Sequence, residues 1–140
     1  MTTTLHLPAR AGAAIACDMT TASDTPDERL REYDRLFAEA MLGRERREDT
    51  VVFTFGGATQ TWVEDLARRE AACCPFADYR VEVDGDTVTW TITNTVTGDE
   101  RPSVDVMLDA YYAMPDNPGM DLAGLLSEID ANDARFEIRR

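Results

Sequence analysis

Lysine is absent from this chain, and all 14 of its basic residues are arginines. Against them stand 27 acidic residues, which leaves a formal net charge of −13 at pH 7. A field of that sign repels phosphate backbones and anionic lipid, so nucleic acid and membrane surfaces are not expected partners. The one dense basic patch, Arg44, Arg46 and Arg47, reads as a solvated helix end. Histidine is nearly absent too. The single one, His6, lies in the N-terminal arm, so papain-like Cys–His chemistry is not expected. No stretch approaches the ~20 apolar residues of a membrane span, and no charged-then-apolar leader is visible. Gly56-Gly57 fits neither a Walker nor a dinucleotide spacing and reads as a plain turn. Cysteine is scarce, with only Cys17, Cys73 and Cys74. An odd count without a leader predicts free thiols in a reducing cytoplasm.

What is present suits one domain over residues 1–140, long enough to bury a core without disulfide staples. Residues 1–12 read as a loosely held arm, 13–93 as the core region, and 101–140 as a C-terminal helical extension. A short strand is expected over 13–19, with Ile15, Cys17 and Met19 on one face. Thr25, Pro26 and Glu28 form a capping-box start for a helix to about residue 42, and the charged run to Asp49 reads as loop. Residues 50–55 are β-branched and aromatic throughout, a strand. A second helix is expected from a Thr61 cap with Glu64 as its box partner. Residues 77–83 and 87–93 alternate around Asp84-Gly85-Asp86, a hairpin. Two more amphipathic helices follow, one ending near Met114 and one capped by Asp121, and Phe136 and Ile138 suggest a short edge strand. The order β-α-β-α-β-β-α-α predicts an α+β two-layer sandwich, its helices on one face of a mostly antiparallel four- or five-stranded sheet.

The chemistry concentrates in Glu70-Ala71-Ala72-Cys73-Cys74-Pro75-Phe76. Glu70 falls in line with Val63, Ala67 and Cys74 on an otherwise apolar helix stripe, and a carboxylate buried there must be paired, hydrogen-bonded or metal-bound. The other reading is a Glu at the stripe's edge that reaches solvent or an arginine. Pro75 disfavours helical geometry at Cys74, so a break there could bring the two neighbouring thiols together. If Cys17 joins them, three sulfurs form a site for a soft ion such as zinc, copper(I) or mercury(II), with Glu70 or Asp18 as a fourth ligand. The spacing matches no zinc-finger pattern. A nucleophilic thiol is the second reading, with Cys73 or Cys74 as nucleophile and Glu70 as acid or base. The negative end of a helix and the overall charge oppose activation there; Arg68 and Arg69 could counter them. In the third reading the cysteines fill core and the chain is a ligand-sensing or interaction module.

With Ala14-Ile15-Ala16-Cys17 upstream, the E-x-x-C-C-x-F stretch looks like a small bacterial domain of unsettled activity that occurs alone or beside MerR-like (mercury-resistance-type) regulators. The resemblance spans about residues 13–93. It implies that Cys17, Glu70, Cys73 and Cys74 belong to one constellation, and it hints at thiophilic metals. Tyr79 stands where a phenylalanine is common in that family, and the tail after residue 100 is longer, leaving room for a private substrate pocket or a homodimer contact. The expected function is therefore a cytoplasmic domain that binds a thiophilic metal or metalloid. A small enzyme working on a thiol-reactive or organometallic substrate is the alternative.

Overall fold

The hairpin and the residues that pair with it build the main sheet. A computed structural model describes residues 2–132 and 137–140. In chain order the elements are β1 (Thr2–Leu7), β2 (Ala16–Asp18), α1 (Pro26–Ala40), β3 (Met41–Arg46), β4 (Thr50–Gly56), α2 (Gln60–Cys73), β5 (Ala77–Asp84), β6 (Thr87–Asn94), α3 (Arg101–Ala113), α4 (Leu122–Ala131) and β7 (Glu137–Arg139). Five strands form an antiparallel sheet in the order β1-β5-β6-β4-β3, and β2 and β7 form a small parallel pair. The architecture is the expected α+β arrangement of helices against a mainly antiparallel sheet.

The alternating strands sort their side chains as a half-buried sheet must. Val51, Phe53 and Phe55 of β4, Tyr79 and Val81 of β5, and Val88, Trp90 and Ile92 of β6 are buried toward the helices. Phe37 of α1 packs on Phe53 with ring centroids 5.0 Å apart, and Tyr33 stacks on Trp90 at 6.0 Å. On the opposite face Val52 and Thr54 of β4 register with Thr91 and Thr89 of β6, and Thr87 and Thr93 extend this half-exposed, hydroxyl-rich surface. The hairpin turns at Gly85, whose φ of +59° suits a residue without Cβ. Gly57 is constrained differently: a Cβ there would come within 2.7 Å of the Asp86 backbone, so the turn after β4 must run bare against the hairpin.

The structure moves several expected boundaries. Residues 2–7 are not a loose arm. They pair with β5 from Thr2 opposite Asp84 to Leu7 opposite Tyr79, and His6 Nε2 lies 2.8 Å from Asp78 Oδ1. The capping box of α1 is present, with Thr25 Oγ1 accepting from Glu28 N and Glu28 Oε1 accepting from Thr25 N. That helix ends at Ala40, and the run expected to be its solvated end is the edge strand β3. Arginines suit such an edge, where charge discourages further strand pairing. Arg44 pairs with Asp116 at 2.7 Å and lies over the Tyr112 ring, and Arg46 pairs with Asp109 at 2.9 Å, so both tie β3 to α3 and the turn after it. Helix α2 begins one residue before Thr61, with Thr59 at its cap position and no side-chain capping bond. The edge strand at the end of the chain is β7. Its Ile138 lies opposite Cys17, while Phe136 falls outside the described residues. Among the described residues no helix is long and apolar enough to cross a membrane.

Candidate functional site

Cys17 and Cys74 meet, but as a disulfide: their Cα atoms are 4.4 Å apart across a separation of 57 residues. This corrects the expectation of three free thiols. The only free thiol is Cys73, which is buried. The break at Cys74 arises as the following proline requires. Cys74 leaves helical geometry at φ −124°, ψ 66° while its N–H still bonds Glu70 O at 2.7 Å. The consequence differs from the expected one, because Cys74 turns to the upstream cysteine rather than to its neighbour. Arg10 N–H donates to Pro75 O at 2.7 Å, and Met19 N–H donates to Arg139 O at 2.7 Å. These bonds hold the segment on either side of Cys17 against the end of α2 and against β7.

Glu70 is only 5% exposed, which answers whether its place on the apolar stripe draws it inside. Tyr33 of α1 donates to Oε1 at 2.6 Å and Tyr111 of α3 donates to Oε2 at 3.0 Å, so one carboxylate ties three helices together. Burial, reinforced by the Glu70 charge, pushes the phenols of Tyr33, Tyr79 and Tyr111 well above their usual range, so they stay protonated. Cys74 Sγ lies 3.6 Å from Glu70 Oε2. In the disulfide that sulfur carries no hydrogen, so this is a contact and not a hydrogen bond.

The cation serving the site is Arg29, which is 3% exposed. Its Nε and Nη2 bond both oxygens of Asp24 at 2.8 and 2.7 Å. Its Nη1 donates to Cys73 Sγ at 3.4 Å and stands 3.8 Å from Glu70 Oε1. Burial alone would lower this guanidinium. The Asp24 hydrogen bond and the Glu70 charge outweigh that and keep it firmly protonated. Arg69, expected to help the thiols, is engaged elsewhere: it bonds Glu32 at 2.6 and 2.8 Å, Asp65 at 2.8 Å and Asp24 at 3.2 Å. Asp18 does not join the site either; it is exposed and accepts from Thr20 N and Oγ1. Arg29 and Tyr111 were not singled out as site residues from the sequence. The missed signal was Arg29 itself, which precedes Tyr33 by four residues on the buried stripe of α1, as Glu70 sits on that of α2.

Arg29, Glu70, Tyr33 and Tyr111 line one pocket of about 90 Å³ together with Cys17, Cys73 and Cys74. Leu30, Met107, Met114, Leu122, Leu125 and Ile129 are among its apolar lining. Among the described residues no three Cys, His, Asp or Glu side chains are grouped to hold a metal ion as they stand.

The charge pairing around Arg29 and Arg69 has a pH signature. Asp24 is held below the usual carboxylate range by its hydrogen bond from Arg29, and Glu32 by its hydrogen bond from Arg69. A carboxylate depressed in the folded state contributes stability above its unfolded value, near ~4, and loses it as pH falls through the folded value. The thermal midpoint should therefore be flat near neutrality and fall below about pH 4. Glu32→Gln should flatten part of that decline in a series of melts.

Compared with known proteins, the chain matches no family model, no curated protein and no solved structure.

Proposed function

We propose that this chain binds a thiophilic metal or metalloid when the Cys17–Cys74 bridge is reduced, and that the disulfide is the closed form of the same site. The observation that carries the reading is that the two sulfurs already meet inside a pocket beside a buried carboxylate. A dithiol reductant would convert the bridge to two thiols while itself becoming a disulfide. Soft ions prefer sulfur to oxygen ligands, so a pair of thiolates selects copper(I), mercury(II), zinc or trivalent arsenic over harder ions. Glu70 Oε2, 3.6 Å from Cys74 Sγ, is placed to take up the proton a thiol loses on binding. Cys73 lines the same pocket and is the third sulfur available to an ion that wants one. The E-x-x-C-C-x-F resemblance supports the reading, and a reducing cytoplasm is the compartment in which the site would open.

The test begins with a thiol count. Unfolded without reductant, the protein should react with one equivalent of a disulfide-exchange reagent, and after reduction with three. Reduced protein should then bind one equivalent of mercury(II) or arsenite, and oxidised protein or Cys17→Ser should bind far more weakly. Equal uptake by all three forms would remove the reading. A thiol-dependent enzyme, with Cys74 as nucleophile and Glu70 as proton donor, draws on the same 3.6 Å contact. It differs by releasing product repeatedly rather than holding one equivalent.

A further inference from the structure

The rest of the pocket lining is mostly hydrocarbon, which is a poor place for a bare, hydrated ion. Leu30, Leu122, Leu125 and Ile129 offer no ligand atom, and Met19, Met107 and Met114 offer only weakly coordinating thioethers. The protein also presents two sulfurs as a pair, with the third held by Arg29, and no three-residue ion cluster stands ready among the described residues. From this we infer that the ligand is a trivalent metalloid already bearing one small hydrocarbon group, a monosubstituted arsenical R–As(OH)2. It takes Cys17 and Cys74 as its two sulfurs and lodges R in the apolar pocket. This rests on the reading above and names the ligand class for that site.

The valences match. In the reduced protein two S–H and two As–O bonds break, two S–As bonds form, and two waters leave. The As–C bond is untouched and nothing is oxidised or reduced. The product has arsenic bonded to two protein sulfurs and one carbon, with its valence filled and no third protein ligand required. Cys73 stays with Arg29. Burying R removes apolar surface from water, which is the source of the preference over arsenite. The pocket is smaller than the ~150 Å³ dry cavity that admits benzene in another protein, which favours a short alkyl chain or a single ring reaching toward the mouth.

The experiment compares phenylarsine oxide with arsenite on protein reduced by a phosphine, by intact mass and by calorimetry. Dithiothreitol in solution gives the intrinsic preference of any dithiol for the aryl compound. The protein should exceed that preference at least tenfold. Leu125→Trp, which fills the half-buried side of the pocket, should erase the excess while arsenite still binds. Met114→Phe provides a second filling variant should the first fold poorly, and Cys73→Ser should leave aryl binding intact. A preference no greater than that of dithiothreitol overturns the inference, as does an excess that survives both filled pockets or vanishes in Cys73→Ser. If neither compound binds the reduced chain, the metalloid reading itself falls with it.

Discussion

Opening the Cys17–Cys74 bridge should lower the unfolding midpoint by about 10 °C. The bridge closes a loop between positions 57 residues apart, and the chain-entropy model gives about 4 kcal/mol for a loop of that length. Measured bridges typically give 2–4 kcal/mol, and a chain of this size shifts by roughly 3–4 °C per kcal/mol. Cys17→Ser should show the same loss without any reductant, and adding reductant to it should change nothing further. A midpoint indifferent to both would mean that the bridge adds no stability. The site predicts a partial recovery as well. A bound metalloid spanning both sulfurs closes the same loop and binds the folded form more tightly than the unfolded thiols, so saturating phenylarsine oxide should raise the melt of the reduced protein.

Removing the Glu70 carboxylate should be among the costliest single changes away from the disulfide. Glu70→Ala removes the acceptor of the Tyr33 hydroxyl, the carboxylate that Tyr111 bonds at 3.0 Å and one of the two carboxylates near Arg29. Breaking a buried charge pair from one side costs about 3–5 kcal/mol, because what remains is still desolvated. Glu70→Gln should cost less, since its carbonyl oxygen still accepts one tyrosine proton. Urea denaturation with an unchanged slope would measure both. If Glu70→Ala fell within 1 kcal/mol of the parent, the three-helix tie would be ornamental.

Local chemistry made much of this legible in the sequence. The capping box at Thr25, the alternation of β5 and β6 around Gly85, and the stripe that carries Glu70 inward are each decided within a few residues. The elements missed were those whose stability comes from distant partners. β1 is a short Thr-rich run that becomes a strand only because β5 offers it an edge. β3 carries alternating charge that reads as loop until α3 supplies the carboxylates for its arginines. The same reason hid the bridge. Pro75 says that Cys74 leaves the helix, but nothing local to Cys74 says that Cys17 arrives as a disulfide partner rather than as a third free thiol. At the site, the stripe of α2 carries Glu70 inward, and the stripe of α1 carries Arg29 in the same way.

The face of the sheet turned away from the helices offers a practical opening. It is paved with Thr87, Thr89, Thr91 and Thr93 of β6, on the side opposite the sulfurs, and the chain has no native ε-amine. Thr91→Lys would provide the only ε-amine, one that amine-reactive chemistry can address once the N-terminal α-amine is blocked. A protein anchored through it to a sensor chip or resin would sit in one orientation, its thiol pocket facing the flowing sample.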